Sequence, residues 1–108
     1  MRRTLIVASA LLLSAVTHAG AQTEGDAASG LAFARRVCGI CHLLRAGETV
    51  SPDPDAPPFP VIAQVPGMTA LALTVSLQSA HRKMPDLALT RQEMQDVIAY
   101  ILSLRRRN

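Results

Sequence analysis

Tryptophan is absent from this 108-residue chain, and Phe33, Phe59 and Tyr100 are its only aromatic residues. A domain this small is marginal when aliphatic side chains alone must fill its core, so the scarcity calls for another source of flat apolar bulk. No apolar run reaches the roughly 20 residues that cross a bilayer as a helix. No internal repeat is present, which excludes a solenoid or propeller. Strong charge of either sign is also missing. The formal charge of +3 includes Arg2 and Arg3 at the extreme N-terminus, and without them basic and acidic residues nearly balance. Nucleic acid is therefore a poor fit as a partner. Arg105, Arg106 and Arg107 carry much of what positive charge remains, and they read as a solvated helix end that complements the macrodipole.

The N-terminus has a positive start, an apolar stretch from Leu5 to about Val16, and the small-x-small site Ala19-Gly20-Ala21. This is the pattern of a secretory signal peptide, expected over residues 1–21, with one domain over 22–108. The residues flanking Arg2-Arg3 do not suit a twin-arginine signal, so Sec-type export and a periplasmic location are expected, with no membrane span retained.

Apolar spacings of three and four at Leu31, Phe33, Ala34 and Val37 predict a helix over 27–37, with Asp26 as N-cap. From Glu48 to Pro66 six prolines, with Asp53 and Asp55 among them, predict a stiff, extended loop without regular helix or strand. Phe59, Val61, Ile62 and Val65 give that loop reason to wrap over something apolar. Residues 69–80 alternate at Leu71, Leu73, Val75 and Leu77 as a half-buried strand does. The i,i+4 pairs, the alanines and the lack of a pairing strand favour helix instead. A final helix starts at Thr90, which forms a capping-box pair with Glu93, while Leu89 and Met94 occupy staple positions. Its apolar face runs through Met94, Val97, Ile98, Ile101 and Leu104.

The chemistry lies in Cys38-Gly39-Ile40-Cys41-His42. Three uses of this run are open: haem attachment, thiol exchange and zinc binding. Covalent haem attachment needs two thiols on one short turn, so that both reach one porphyrin edge, and an adjacent imidazole for the iron. Thiol exchange fits poorly, because the βαβ pattern of such a domain is missing. For zinc, Cys38, Cys41, His42 and at best His81 make a sparse set. For the sixth iron position the chain offers Met68, Met84, Met94 and His81. Met94 belongs to an apolar helix face, Met68 is a distant choice, and His81 reads as a surface or propionate-side histidine. Met84, in the irregular stretch Arg82-Lys83-Met84-Pro85-Asp86, is the expected ligand.

Taken together, these pieces resemble a small class I monohaem bacterial cytochrome c. The matching features are Gly30 ahead of the C-x-x-C-H run, Ala56-Pro57-Pro58-Phe59, His81 three residues before Met84-Pro85, and Val97-Ile98-Ala99-Tyr100-Ile101. The resemblance implies an all-α fold, cytochrome c-like, of about three to four helices around one covalently bound haem, with a proline-rich loop. It implies that the first and last helices cross with Gly30 against Val97 and Tyr100. It also implies that a proline carbonyl accepts the second ring N–H of His42, with Pro57 the candidate and Pro58 the runner-up. Unlike the larger members, the chain has a short middle and no tryptophan near the propionates, for which Arg45 is a weak substitute. Unlike mitochondrial-type members it is not lysine-rich, since Lys83 is its sole lysine.

The function so implied is that of a periplasmic electron carrier, not an enzyme, with haem c held by Cys38, Cys41, His42 and Met84. Its partners would be redox proteins: a dehydrogenase or quinol-oxidising donor and an oxidase or reductase acceptor. Arg82 and Lys83 could help dock an acidic partner, or be a solvated pair. The alternatives are the haem subunit of a periplasmic dehydrogenase complex, or a haem enzyme or gas sensor with an exchangeable sixth ligand.

Overall fold

The computed structural model describes residues 24–48, 50–81 and 83–106. The expected signal peptide, residues 1–21, lies outside them. Four helices follow in order: α1 (Ala27–Val37), α2 (Phe59–Gln64), α3 (Ala70–Gln78) and α4 (Arg91–Ser103), with a 3-10 turn at Cys38–Ile40 directly after α1. No strand occurs among the described residues, only an isolated bridge between His81 and Met84. The architecture is all-α, and α1 and α4 form its largest helix contact.

Both of these helices start at side-chain caps. The Asp26 carboxylate accepts the Ser29 N–H at 2.8 Å, and the Ser29 hydroxyl together with this N–H holds its acid below the ordinary carboxylate range. At α4, Thr90 and Glu93 form a reciprocal capping box, which lowers the Glu93 acid in the same way. The two helix starts are then tied together. Asp96, buried on α4, accepts the Asp26 N–H at 2.7 Å and the Gln92 amide at 2.8 Å through the same oxygen. A carboxylate thus lies at the positive end of α1, where the macrodipole favours it.

The crossing is closer than side chains normally permit. A Cβ on Gly30 would lie 1.9 Å from the Asp96 carbonyl oxygen and 3.0 Å from Tyr100 Cβ. The expected contact with Tyr100 is present, and the atoms nearest to Gly30 are those of the Asp96 carbonyl, which is bonded to the Val97 nitrogen. Val97 is almost wholly buried in the core. Gly25 repeats the arrangement one turn earlier, where a Cβ would lie 2.0 Å from the Gln95 carbonyl oxygen. Gly30 lets two helix backbones touch, and Gly25 lets the chain just ahead of the α1 cap approach α4 as well.

One expectation is corrected in the proline-rich stretch, which is not loop throughout. Helix α2 occupies Phe59–Gln64 inside it, with Pro58 as N-cap and Pro60 in the first turn. In that turn the missing N–H has no helical partner to lose, and the fixed φ already suits a helix. The stretch ends in a tight turn at Pro66-Gly67, where Gly67 has φ +75° and the Met68 N–H reaches the Val65 carbonyl at 3.0 Å. Proline followed by a left-handed glycine is the requirement of a type II turn.

In α3 the strand-like alternation resolves into two helical stripes. Leu73 is buried and Leu77 packs against the core, while Leu71 and Val75 are 73% and 55% exposed. Thr69 caps the helix by accepting the Ala72 N–H at 3.1 Å. The C-terminal end of α4 is also anchored more firmly than a solvated end. Gln64 donates to the Leu104 carbonyl at 3.0 Å, and Arg105 donates to the Met68 carbonyl. The core that results contains Ala34, Leu44, Phe59, Ala63, Leu73 and the α4 residues Val97, Ile98, Tyr100 and Ile101.

Two outcomes are expected. Alanine within a helix usually gains up to about 1 kcal/mol over glycine. At Gly30 the change to Ala should instead cost roughly 1–3 kcal/mol, read as a lower denaturant midpoint, because the α4 backbone must move. The stabilisation from the lowered Asp26 and Glu93 acids is fully present above their ordinary pKa values of 3.8 and 4.5, and it fades as pH falls through the lowered values. Acid titration of helical ellipticity should accordingly show a shallower loss in Asp26→Asn and Glu93→Gln.

Candidate functional site

The C-x-x-C-H run is carried out of α1 without a break. The Cys38 N–H still bonds the Ala34 carbonyl, and the Cys38 carbonyl accepts the N–H groups of Cys41 at 3.1 Å and His42 at 2.8 Å. One turn therefore presents both thiols and the imidazole. Neither cysteine is in a disulfide. Cys38 is only 8% exposed, and burial pushes its thiol up to about 11, while Cys41 is half-buried. A reactive exchange thiol is held below its ordinary pKa by nearby positive charge; a desolvated one such as Cys38 stays protonated and inert as an exchange nucleophile. Among the described residues, no group of three or more His, Cys, Asp or Glu is placed to hold a metal ion together. The burial of Cys38 weighs against the thiol-exchange alternative.

His42 is oriented by the proline-rich segment. Its Nδ1 lies 2.8 Å from the Pro57 carbonyl oxygen. A carbonyl can only accept, so Nδ1 is the donor here, and in the neutral imidazole this leaves the lone pair on Nε2. An imidazole so fixed has its ligating nitrogen free. Pro57, rather than Pro58, makes this contact. The residues around Pro57 are fastened to the motif by backbone: the Asp53 N–H donates to the Cys41 carbonyl at 3.1 Å, and the Phe59 N–H to the Leu43 carbonyl at 2.9 Å. The Leu43 N–H in turn donates to the Ser51 hydroxyl at 3.1 Å.

Aromatic packing extends this frame to α4. The Phe59 ring sits 5.3 Å from the His42 ring and 6.4 Å from the Tyr100 ring, tilted to both. Edge-on aromatic pairs of this kind prefer centroid separations of about 4.5–7 Å. The Tyr100 hydroxyl donates to the Leu44 carbonyl at 2.8 Å, and burial pushes its pKa upward. Two of the chain's three aromatic residues thus serve one histidine.

The other expected residues fall into place differently. Met84 closes a four-residue turn, its N–H donating to the His81 carbonyl at 3.0 Å, and its side chain is half-buried outside the core cluster. Met68 and Met94 both pack against that core, and His81 is exposed, its ring nitrogen 2.9 Å from the Ser79 carbonyl. Arg45 and Arg35 line a cavity of about 270 Å³ beside His42. Sequence reasoning missed two features: the carboxylate of Asp96 and the ion pair of Lys83 with Asp55 at 2.5 Å. A lone lysine next to the expected ligand, and an aspartate among prolines, were the only signals for the second.

Two thiols on a single turn, followed by an imidazole with its second nitrogen engaged, form the donor set that suits a haem attached by thioether bonds. An all-α fold carrying that set defines the class of c-type electron-transfer proteins. A cytochrome c-552 of Bradyrhizobium diazoefficiens is 35% identical over 95 residues, covering 88% of this chain and 90% of that protein. No family model matches the chain, and no solved structure does. At that identity and coverage the chain belongs to the cytochrome c family. It is a small monohaem cytochrome c with covalently bound c-type haem, an electron carrier and not an enzyme.

Removing the Tyr100 hydroxyl leaves the buried Leu44 carbonyl without its partner. Tyr100→Phe should cost roughly 1–3 kcal/mol in denaturant unfolding.

Proposed function

We propose that this cytochrome c is a periplasmic one-electron carrier in which Cys38 and Cys41 form the thioethers, His42 and Met84 are the axial ligands, and Pro57 positions His42. The contact between His42 Nδ1 and the Pro57 carbonyl carries the reading, because it leaves Nε2 as the free donor. When bound, the haem supplies an iron that cycles between ferric and ferrous states.

The residues divide the remaining work. Cys38 and Cys41 would hold the haem covalently at the end of α1, which would keep it from dissociating. The Pro57 carbonyl draws on the Nδ1 proton, which makes Nε2 a stronger donor and stops the ring from turning. The Met84 thioether is a weak, soft ligand that favours the reduced iron and raises the potential relative to a second imidazole. With His42 and Met84 both engaged, no coordination position stays open. Electron exchange without bond-making is then favoured over oxygen or gas chemistry. The periplasmic address is supported by the signal-like pattern of residues 1–21, and among the described residues no helix is long and apolar enough to cross a membrane. The partners in this reading are redox proteins that deliver and accept single electrons.

The test uses the purified protein from a periplasmic fraction. Its mass should equal the chain without residues 1–21 plus one haem, and Cys38→Ala with Cys41→Ala should leave the haem extractable by acidic acetone. An unmodified chain mass overturns the attachment. The oxidised protein should show a sulfur-to-iron charge-transfer band in the red, lost in Met84→Ala. A wild-type spectrum without that band at neutral pH overturns Met84 as ligand.

A further inference from the structure

Among the described residues, the segment between α3 and α4 (79–81 and 83–90) makes few bonds to the rest of the molecule. Its backbone bonds are local: His81 to Met84, and Leu87 to Leu89. The His81 ring bonds back to Ser79 within the same segment, and none of the segment's described hydrophobic residues belongs to or packs against the core cluster. Among the described residues, one side-chain hydrogen bond ties residues 79–89 to another part of the molecule. It runs from Lys83 Nζ to Asp55 Oδ2 at 2.5 Å.

The other end of that bond is firmly held. Asp55 donates its N–H to the Asp53 carboxylate at 2.9 Å, the Ala56 N–H bonds the Asp53 carbonyl at 3.0 Å, and the Asp53 N–H bonds the Cys41 carbonyl at 3.1 Å. Pro57, two residues on, bonds His42. Lys83 immediately precedes Met84, so the pair fastens the methionine's segment to the same turn that fixes the histidine.

We propose that Lys83 and Asp55 are positioning residues, a polar latch that holds Met84 at the sixth iron position against displacement. The proposal rests on Met84 being the axial ligand. Both side chains are well exposed, at 72% and 61%, so the latch is open to screening by salt. An exposed ion pair contributes little to global stability. It counts for more where a segment with few other contacts opens locally, because that opening needs only those few contacts to break.

The experiment follows displacement of Met84 by imidazole in the oxidised holoprotein, read as loss of the red charge-transfer band. Lys83→Gln and Asp55→Asn should each speed displacement roughly two- to fivefold at low salt, the span an exposed pair gives. Wild type should approach the variants' rate as salt rises, while the variants stay nearly flat. Lys83→Arg should retain the slow rate, and the exchange Lys83→Asp with Asp55→Lys should restore it. Denaturant midpoints should hardly change, which separates a latch from a general structural role. Variant rates equal to wild type, or an equal salt dependence in both, overturn the latch while leaving Met84 ligation intact. A wild-type spectrum with no such band overturns both.

Discussion

The contact of the α1 and α4 backbones at Gly30 and Asp96 is the constraint on which the rest of the molecule depends. Helices separated by side chains lie about 8–10 Å apart; removing the side chain on one of them lets the axes draw in and fixes their rotation as well. Gly25 and Gly30 set the depth of that contact, and the Asp96 carboxylate sets its angle by holding the start of α1. Since the C-x-x-C-H turn continues α1 directly, its position in the molecule is inherited from this crossing. Tyr100, one turn beyond Asp96, then bonds the Leu44 carbonyl just after the motif.

On that frame the histidine side is built from a single stretch of chain. Residues 38–59 bond to one another through Cys41 with Asp53, His42 with Pro57, Leu43 with both Ser51 and Phe59. Proline suits this task, because its carbonyl remains available while its ring limits the conformations the segment can adopt. Phe59 then carries the histidine ring onto α4. The absence of tryptophan leaves this one ring as the bulky wedge between the motif and the last helix.

Much of this could be read in advance, and the parts that could not share a physical reason. Caps are local, so Asp26 and the Thr90–Glu93 pair are visible as spacings of a few residues; α1 and α4 were legible for that cause. Helix α3 was readable only by weighing propensity against an alternation that fits strand equally well, and the structure separates its residues into 71/75 and 73/77 stripes. Helix α2 was hidden because a proline count takes no account of position, and Pro58 and Pro60 fall where a first turn tolerates them. The close approach at Gly30 and its contact with Tyr100 could be expected from resemblance, but the Asp96 carbonyl could not: a carbonyl has no sequence signature. Asp96 and the Lys83–Asp55 pair join residues 70 and 28 positions apart, a distance at which charge alone does not name a partner.

The unequal construction of residues 38–59 and 79–90 has a consequence for how such a chain can vary. The first stretch is cross-stitched by neighbours, so a substitution there disturbs several bonds at once. The second hangs between two helix ends with mostly local bonds and tolerates change independently. Its length and charge can therefore be altered while the turn that bears the cysteines and the histidine is left as it stands. One histidine-bearing frame then admits a series of connecting segments between α3 and α4.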